Sequence, residues 1–187
     1  MPRPTRIEGL AIVSADGMLA DPDGHVPASL LVEPDQAFFQ DSLDRAAVLV
    51  HGRHSHEGGG ARADRRRRLI VTRKVASLAE TDIRPHALLW NPNGASLDEA
   101  WARLGAPAGT LAVIGGTEVY GLFLAIGYDA FHLSRAPHVR LPGGRPVFPG
   151  VGPGRTPEDV LASHGLKPGP QHVFDAALGV TLVTWSK

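Results

Sequence analysis

Apolar positions in this chain come in short unbroken runs, each stopped by a polar or glycine-rich turn. Runs of that kind predict strands buried on both faces, as in a parallel sheet. They fall at 7–13, 46–50, 69–72, 87–90, 111–114 and 130–134. Between the first two, Pro34 opens a helix over 34–43, with Ala37, Phe38 and Phe39 near one face. Ser96 and Glu99 have the spacing of a capping box and start a helix that ends at Gly105. Val119, Leu122 and Phe123 recur at helical spacing after the fifth strand, and Thr156-Pro157 starts a short helix that stops by Gly165. Residues 171–175 and 180–185 flank Gly179 and read as a terminal pair of strands.

Strands alternating with helices imply an α/β fold, with a mostly parallel central sheet and helices on both faces. The terminal pair should add antiparallel strands at one edge. With 187 residues and 43% apolar content, the expectation is one domain spanning 1–187. Basic and acidic side chains balance at 19 each, which argues against a nucleic-acid or anionic membrane surface. The absence of cysteine excludes disulfides and thiolate catalysis. No apolar run is long enough to span a bilayer, and residues 1–6 lack a signal-peptide apolar segment, so a cytoplasmic protein is expected.

The chemistry is concentrated in turns. Gly115 and Gly116 separate the strand at 111–114 from a helix, so a ligand can approach the backbone and meet free helix N–H groups that favour an anion. A tight connection with no ligand would read the same way. His51, His54 and His56 cluster, but they straddle a strand end and a turn and should diverge, so no metal site is expected. Arg65-Arg66-Arg67-Arg68 reads as a solvated rim before a strand, or as a source of one arginine for a substrate phosphate or carboxylate. The Gly-x-Gly-x-x-Gly, Gly-x-Ser-x-Gly and P-loop patterns are missing, which disfavours conventional dehydrogenases, common hydrolases and NTPases.

Six motifs occur in one order: Ser14-Ala15-Asp16-Gly17-Met18-Leu19-Ala20, Val50-His51-Gly52-Arg53-His54-Ser55, Leu69-Ile70-Val71-Thr72-Arg73, Val113 to Tyr120, Phe131-His132-Leu133-Ser134 and Pro146-Val147-Phe148-Pro149. Over most of 6–150 the chain resembles the dihydrofolate reductase superfamily. The Ser-x-Asp-Gly loop is closer to the reductase domain of bifunctional riboflavin-biosynthesis deaminase-reductases and their stand-alone relatives. The resemblance implies a dihydrofolate reductase-like fold and an NADPH-dependent reductase of a small nitrogen heterocycle or ribosylaminopyrimidine. The alternatives are dihydrofolate reductase proper and a non-catalytic nucleotide-binding protein that keeps the fold. It also suggests a homodimer.

By the same resemblance, Gly52, Arg53, His54 and Ser55 would put a helix N-terminus under the cofactor diphosphate. Gly115, Gly116 and Thr117, with Glu118 and Val119, would face it from the other side. Thr72, Arg73 and Lys74 would take the adenosine end, the two cations favouring a 2′-phosphate. Leu19, Ala20, Ile114 and Tyr120 would line the nicotinamide, with plain core as the other reading for Ile114 and Tyr120. Asp35 would be the acid, supported by Ser134, with Phe38 and Phe39 against the substrate. A first-turn carboxylate answering the helix dipole is the competing reading of Asp35, and Glu33 is a competing acid. Residues 21–32 lack the Pro-Trp pair of dihydrofolate reductases, so a smaller or differently shaped heterocycle is expected. The metal-binding Cys and His signature of the deaminase half is absent from the sequence.

Overall fold

The apolar runs become the strands of a nine-stranded sheet. The structure, a computed structural model, describes residues 2–55 and 57–187. In chain order the elements are β1 (Arg6–Ser14), β2 (Met18–Ala20), α1 (Glu33–Arg45), β3 (Val48–Gly52), α2 (Ala61–Asp64), β4 (Arg68–Val71), β5 (Leu78–Glu80), β6 (Ala87–Trp90), α3 (Leu97–Leu104), β7 (Thr110–Val113), α4 (Thr117–Ile126), β8 (Ala130–Ala136), β9 (Arg145–Pro146), α5 (Pro157–Ser163), β10 (Lys167–Asp175) and β11 (Val180–Ser186). The sheet order is β10-β11-β8-β1-β7-β3-β4-β6-β5. Strands from β8 to β6 pair in parallel, while β10, β11 and β5 are antiparallel at the two edges. The α/β architecture with antiparallel C-terminal strands is as the sequence predicts.

Strand periodicity sorts the side chains into two layers. Leu10, Leu49 and Ala112 face α1, where they meet Leu43 with Phe38 and Phe39 beside them. Their neighbours Val48, Val50, Leu111 and Val113 face the other way, onto Trp101 of α3, Val119 and Phe123 of α4 and Leu161 of α5. Trp90, Trp101 and Trp185 all belong to this second, larger core. The capping box is present: Ser96 Oγ accepts from the Glu99 amide and Glu99 accepts from the Ser96 amide.

The short elements escape periodicity. β2 and β9 form a separate two-stranded ribbon, and β5 is a three-residue edge strand. β10 starts at Lys167, four residues before the expected start, because Pro168 of its Pro-rich beginning still pairs with Trp185. The four-arginine run is not a solvated rim throughout. Arg66 and Arg68 are buried while Arg65 and Arg67 are exposed, because the alternation of the coming strand already governs these residues.

Candidate active site

The parallel arrangement gathers the carboxyl ends of β1, β3, β4 and β7 at one rim, where ligands of open α/β sheets bind. β7 lies between β1 and β3, so the turn after β3 and the turn after β7 are neighbours. They touch directly: the Gly52 amide donates to the Gly115 carbonyl over 2.8 Å. Among the described residues, a methyl group built on Gly116 would meet only the Ser55 hydroxyl within 4 Å, at 3.4 Å. Gly115 has φ +114°, a region that β-carbons disfavour, and the Gly115–Gly116 peptide is cis.

α4 begins at this turn with Gly116 as its N-cap and no side-chain cap. The N–H groups of its first turn therefore remain available to an anion. Thr117 donates its hydroxyl to the Pro146 carbonyl, which ties the β2–β9 ribbon to the start of α4. Glu118 is exposed in the first turn, and Val119 is buried beneath it. The other turn departs from expectation. No helix starts at Ser55; α2 starts only at Ala61 and spans four residues. Gly58, Gly59 and Gly60 intervene, and glycine is a poor helix former. Arg53 and His54 are exposed and lie beside each other, with Arg53 Nη2 3.3 Å from His54 Nε2. His56 lies outside the described residues.

At the end of β4, Thr72 is buried and accepts from the Lys74 amide, while Arg73 and Lys74 are exposed. Leu19 and Ala20 sit in β2, placed by the Ser14-Asp16 loop, with Leu19 against the larger core. Ser14 accepts from the Met18 amide, and the Asp16 carboxylate accepts from the Leu141 amide. Ile114 is half-buried beside the Leu10–Leu49 layer. Tyr120 is core: it is 2% exposed, packs on Phe131 and Phe148, and donates its hydroxyl to the Leu10 carbonyl. It supports Gly115 from beneath, its ring about 3.2 Å from where a β-carbon there would lie.

Glu33 and Asp35 share the first turn of α1, and their burial separates them. Glu33 is exposed, whereas Asp35 is 5% exposed. Burial pushes the Asp35 carboxyl up to about 6, partly offset by the hydroxyl of Ser134, itself buried on β8. A carboxyl with that property can hold or release a proton near neutrality. Phe38, expected beside the substrate, has its ring edge-on to His132 at 5.4 Å and against Phe174 at 5.9 Å. Those contacts commit it to the junction of α1 with β8 and β10. Phe39 is half-buried over the Leu10–Leu49 layer.

A buried ionic cluster behind the 52–55 turn has no counterpart in the sequence reading. Glu57 accepts from Arg68 Nη1 at 2.8 Å and Nη2 at 2.6 Å, and Arg66 and Arg84 approach the same carboxylate at 3.7 and 3.9 Å. The signal available in the sequence was the period-two alternation running back from 69–71 through Arg68 and Arg66. At the opposite rim a concavity of about 610 Å³ is lined by Asp44, Arg62, Arg66 and His86 among others. It lies at the carbonyl end of α1, which repels anions, and Asp44 already pairs with Arg62 and Arg66. Among the described residues, Asp21, Asp23 and His25 bring potential metal-ligand atoms together on the loop after β2, and no helix is long and apolar enough to cross a membrane.

No protein-family model matches the chain, and no curated protein matches it by sequence. Solved structures do. A crystal structure of a protein assigned to riboflavin biosynthesis, from Shewanella sp. PV-4, superposes with a TM-score of 0.63 at 18% identity, covering 97% of this chain and 98% of that one. The diaminohydroxyphosphoribosylaminopyrimidine deaminase/5-amino-6-(5-phosphoribosylamino)uracil reductase of Thermotoga maritima superposes with a TM-score of 0.64 at 16% identity. The match covers 98% of this chain and 56% of that longer one. The chain thus has the dihydrofolate reductase-like fold of these riboflavin-pathway structures.

Proposed function

We propose that this protein is an NADPH-dependent reductase of a small nitrogen heterocycle or its ribosylamino derivative. The observation that carries the reading is the direct contact of the two glycine turns, Gly52 N–H to Gly115 O, beside an uncapped helix N-terminus at Gly116. That cradle fits a diphosphate: the first-turn N–H groups of α4 have no side-chain cap, and among the described residues a β-carbon on Gly116 would meet only Ser55 within 4 Å. NADPH would supply a hydride. The exposed cations Arg73 and Lys74 at the end of β4 suit a 2′-phosphate. Leu19 and Ala20 of the β2–β9 ribbon and Ile114 would bound the nicotinamide, with Tyr120 supporting the wall from the core.

Asp35 takes the acid role in this reading, because it is the buried carboxyl of the α1 first turn. Its proton sits on the carboxyl for an appreciable fraction of molecules near neutral pH, and Ser134 orients it. Phe39 is the aromatic left to meet a substrate ring. The named activity of the Thermotoga protein suggests a ribosylaminopyrimidine as the first substrate to try. The test is NADPH oxidation with ribosylaminopyrimidines and pterins, followed by absorbance. Turnover with one of them supports the reading. Tight NADPH binding with no turnover would favour a nucleotide-binding protein without catalysis.

A further inference from the structure

The turn at 52–55 lacks the helix that would ordinarily hold it, and three glycines follow Glu57. Something else must fix the Gly52 carbonyl, which accepts the Ser55 amide at 3.1 Å to close the turn. His51 is that second anchor. It is 3% exposed on the α1 face of β3, with Nδ1 2.8 Å from the Gly52 carbonyl and Nε2 3.3 Å from Arg68 Nη1. A carbonyl only accepts and a guanidinium only donates, so the ring carries its proton on Nδ1 and offers a lone pair at Nε2. Burial, with the nearby Arg68 charge, favours this neutral form.

Arg68 is itself fixed. Its side chain is fully buried, bonded twice to Glu57 and once to the Ala63 carbonyl. Glu57 is equally buried, and its backbone carbonyl accepts from Gln40 of α1. An unbroken set of contacts therefore runs from the turn through the imidazole into a rigid ion pair. We propose that His51 is a positioning residue, holding the Gly52 carbonyl against the Arg68–Glu57 pair so that the 52–55 turn stays in place to receive a diphosphate. The proposal rests on the dinucleotide reading of the two turns.

The experiment uses the full chain and three variants. His51→Phe removes both ring nitrogens. His51→Asn keeps an amide N–H where Nδ1 stands, and His51→Leu replaces the Phe variant if that one does not fold. With His51→Phe, NADPH affinity should fall about tenfold, the worth of one hydrogen bond. At saturating NADPH kcat should hold, and the Ser55 amide should exchange faster with solvent. His51→Asn should restore affinity to within about twofold and restore Ser55 protection. Wild-type affinity and unchanged Ser55 exchange in the Phe variant would overturn the proposal, as would an Asn variant that fails as fully as Phe. If the wild-type protein itself does not bind NADPH, the dinucleotide reading fails separately, and Ser55 exchange alone decides the role of His51.

Discussion

Asp35 binds a proton more tightly in the folded protein than in the unfolded chain, because burial penalises its charged form. Stability from this group is present at acid pH, declines as pH rises from the ordinary carboxylate range toward 6, and remains lowered above that. The difference amounts to about 3 kcal/mol. Asp35→Asn should therefore raise the Tm by roughly 6 to 12 °C at pH 8 and by nothing near pH 3.5, while abolishing turnover. Scanning calorimetry across pH, paired with an oxidation assay, checks both halves; an equal Tm gain at every pH would contradict the burial effect. Gly116 tests the cradle instead. Its φ of −76° is negative, and among the described residues a β-carbon there would meet only Ser55 within 4 Å. Gly116→Val should thus fold normally yet weaken NADPH by about a hundredfold in a fluorescence titration, because the branched side chain fills the diphosphate approach. The glycine turns were legible in the sequence, and both first-turn carboxylates, Asp35 and Glu33, were visible there as candidates. Which of the two is buried was not legible, because spacing two apart on one helical turn does not reveal burial.

At the scale of elements, long periodic segments were readable and short ones were not. The capped helix α3 and the strands at 87–90 and 111–114 follow from their own residues. The three-residue strands β2 and β5 depend on partners distant in the chain. The helix expected at Ser55 is displaced because Gly58 to Gly60 oppose helix formation, and the arginine run turned inward because strand alternation outweighed its charge once Glu57 was there to pair. This segment offers a direct test of backbone effects. Gly59 has no positive φ and nothing within 4 Å of a built β-carbon, so Gly59→Ala should stabilise by about 0.5 kcal/mol. Gly60, at φ +88°, should lose stability on the same change. Chemical denaturation of the two variants should move their midpoints in opposite directions.

For the whole molecule, the sheet joins both turns to the same interior: β3 and β7 lie side by side near its middle. A ligand gripped by both turns would consequently stabilise the core rather than a peripheral loop. NADPH at about 100 times its Kd should add about 2.7 kcal/mol and raise the Tm by roughly 5 to 10 °C. Thermal melts with and without NADPH measure this directly, and an unchanged Tm at that excess would remove the dinucleotide reading.

The distribution of the three tryptophans has a practical consequence. All the indoles lie in the slab beneath α3, α4 and α5, and the α1 layer contains none. Intrinsic emission during denaturation will therefore report the loss of one half of the sandwich and stay dark to the other. Should the α1 layer with Asp35 loosen first, the optical trace would miss it, and a probe attached to α1 would be needed to see the two halves part.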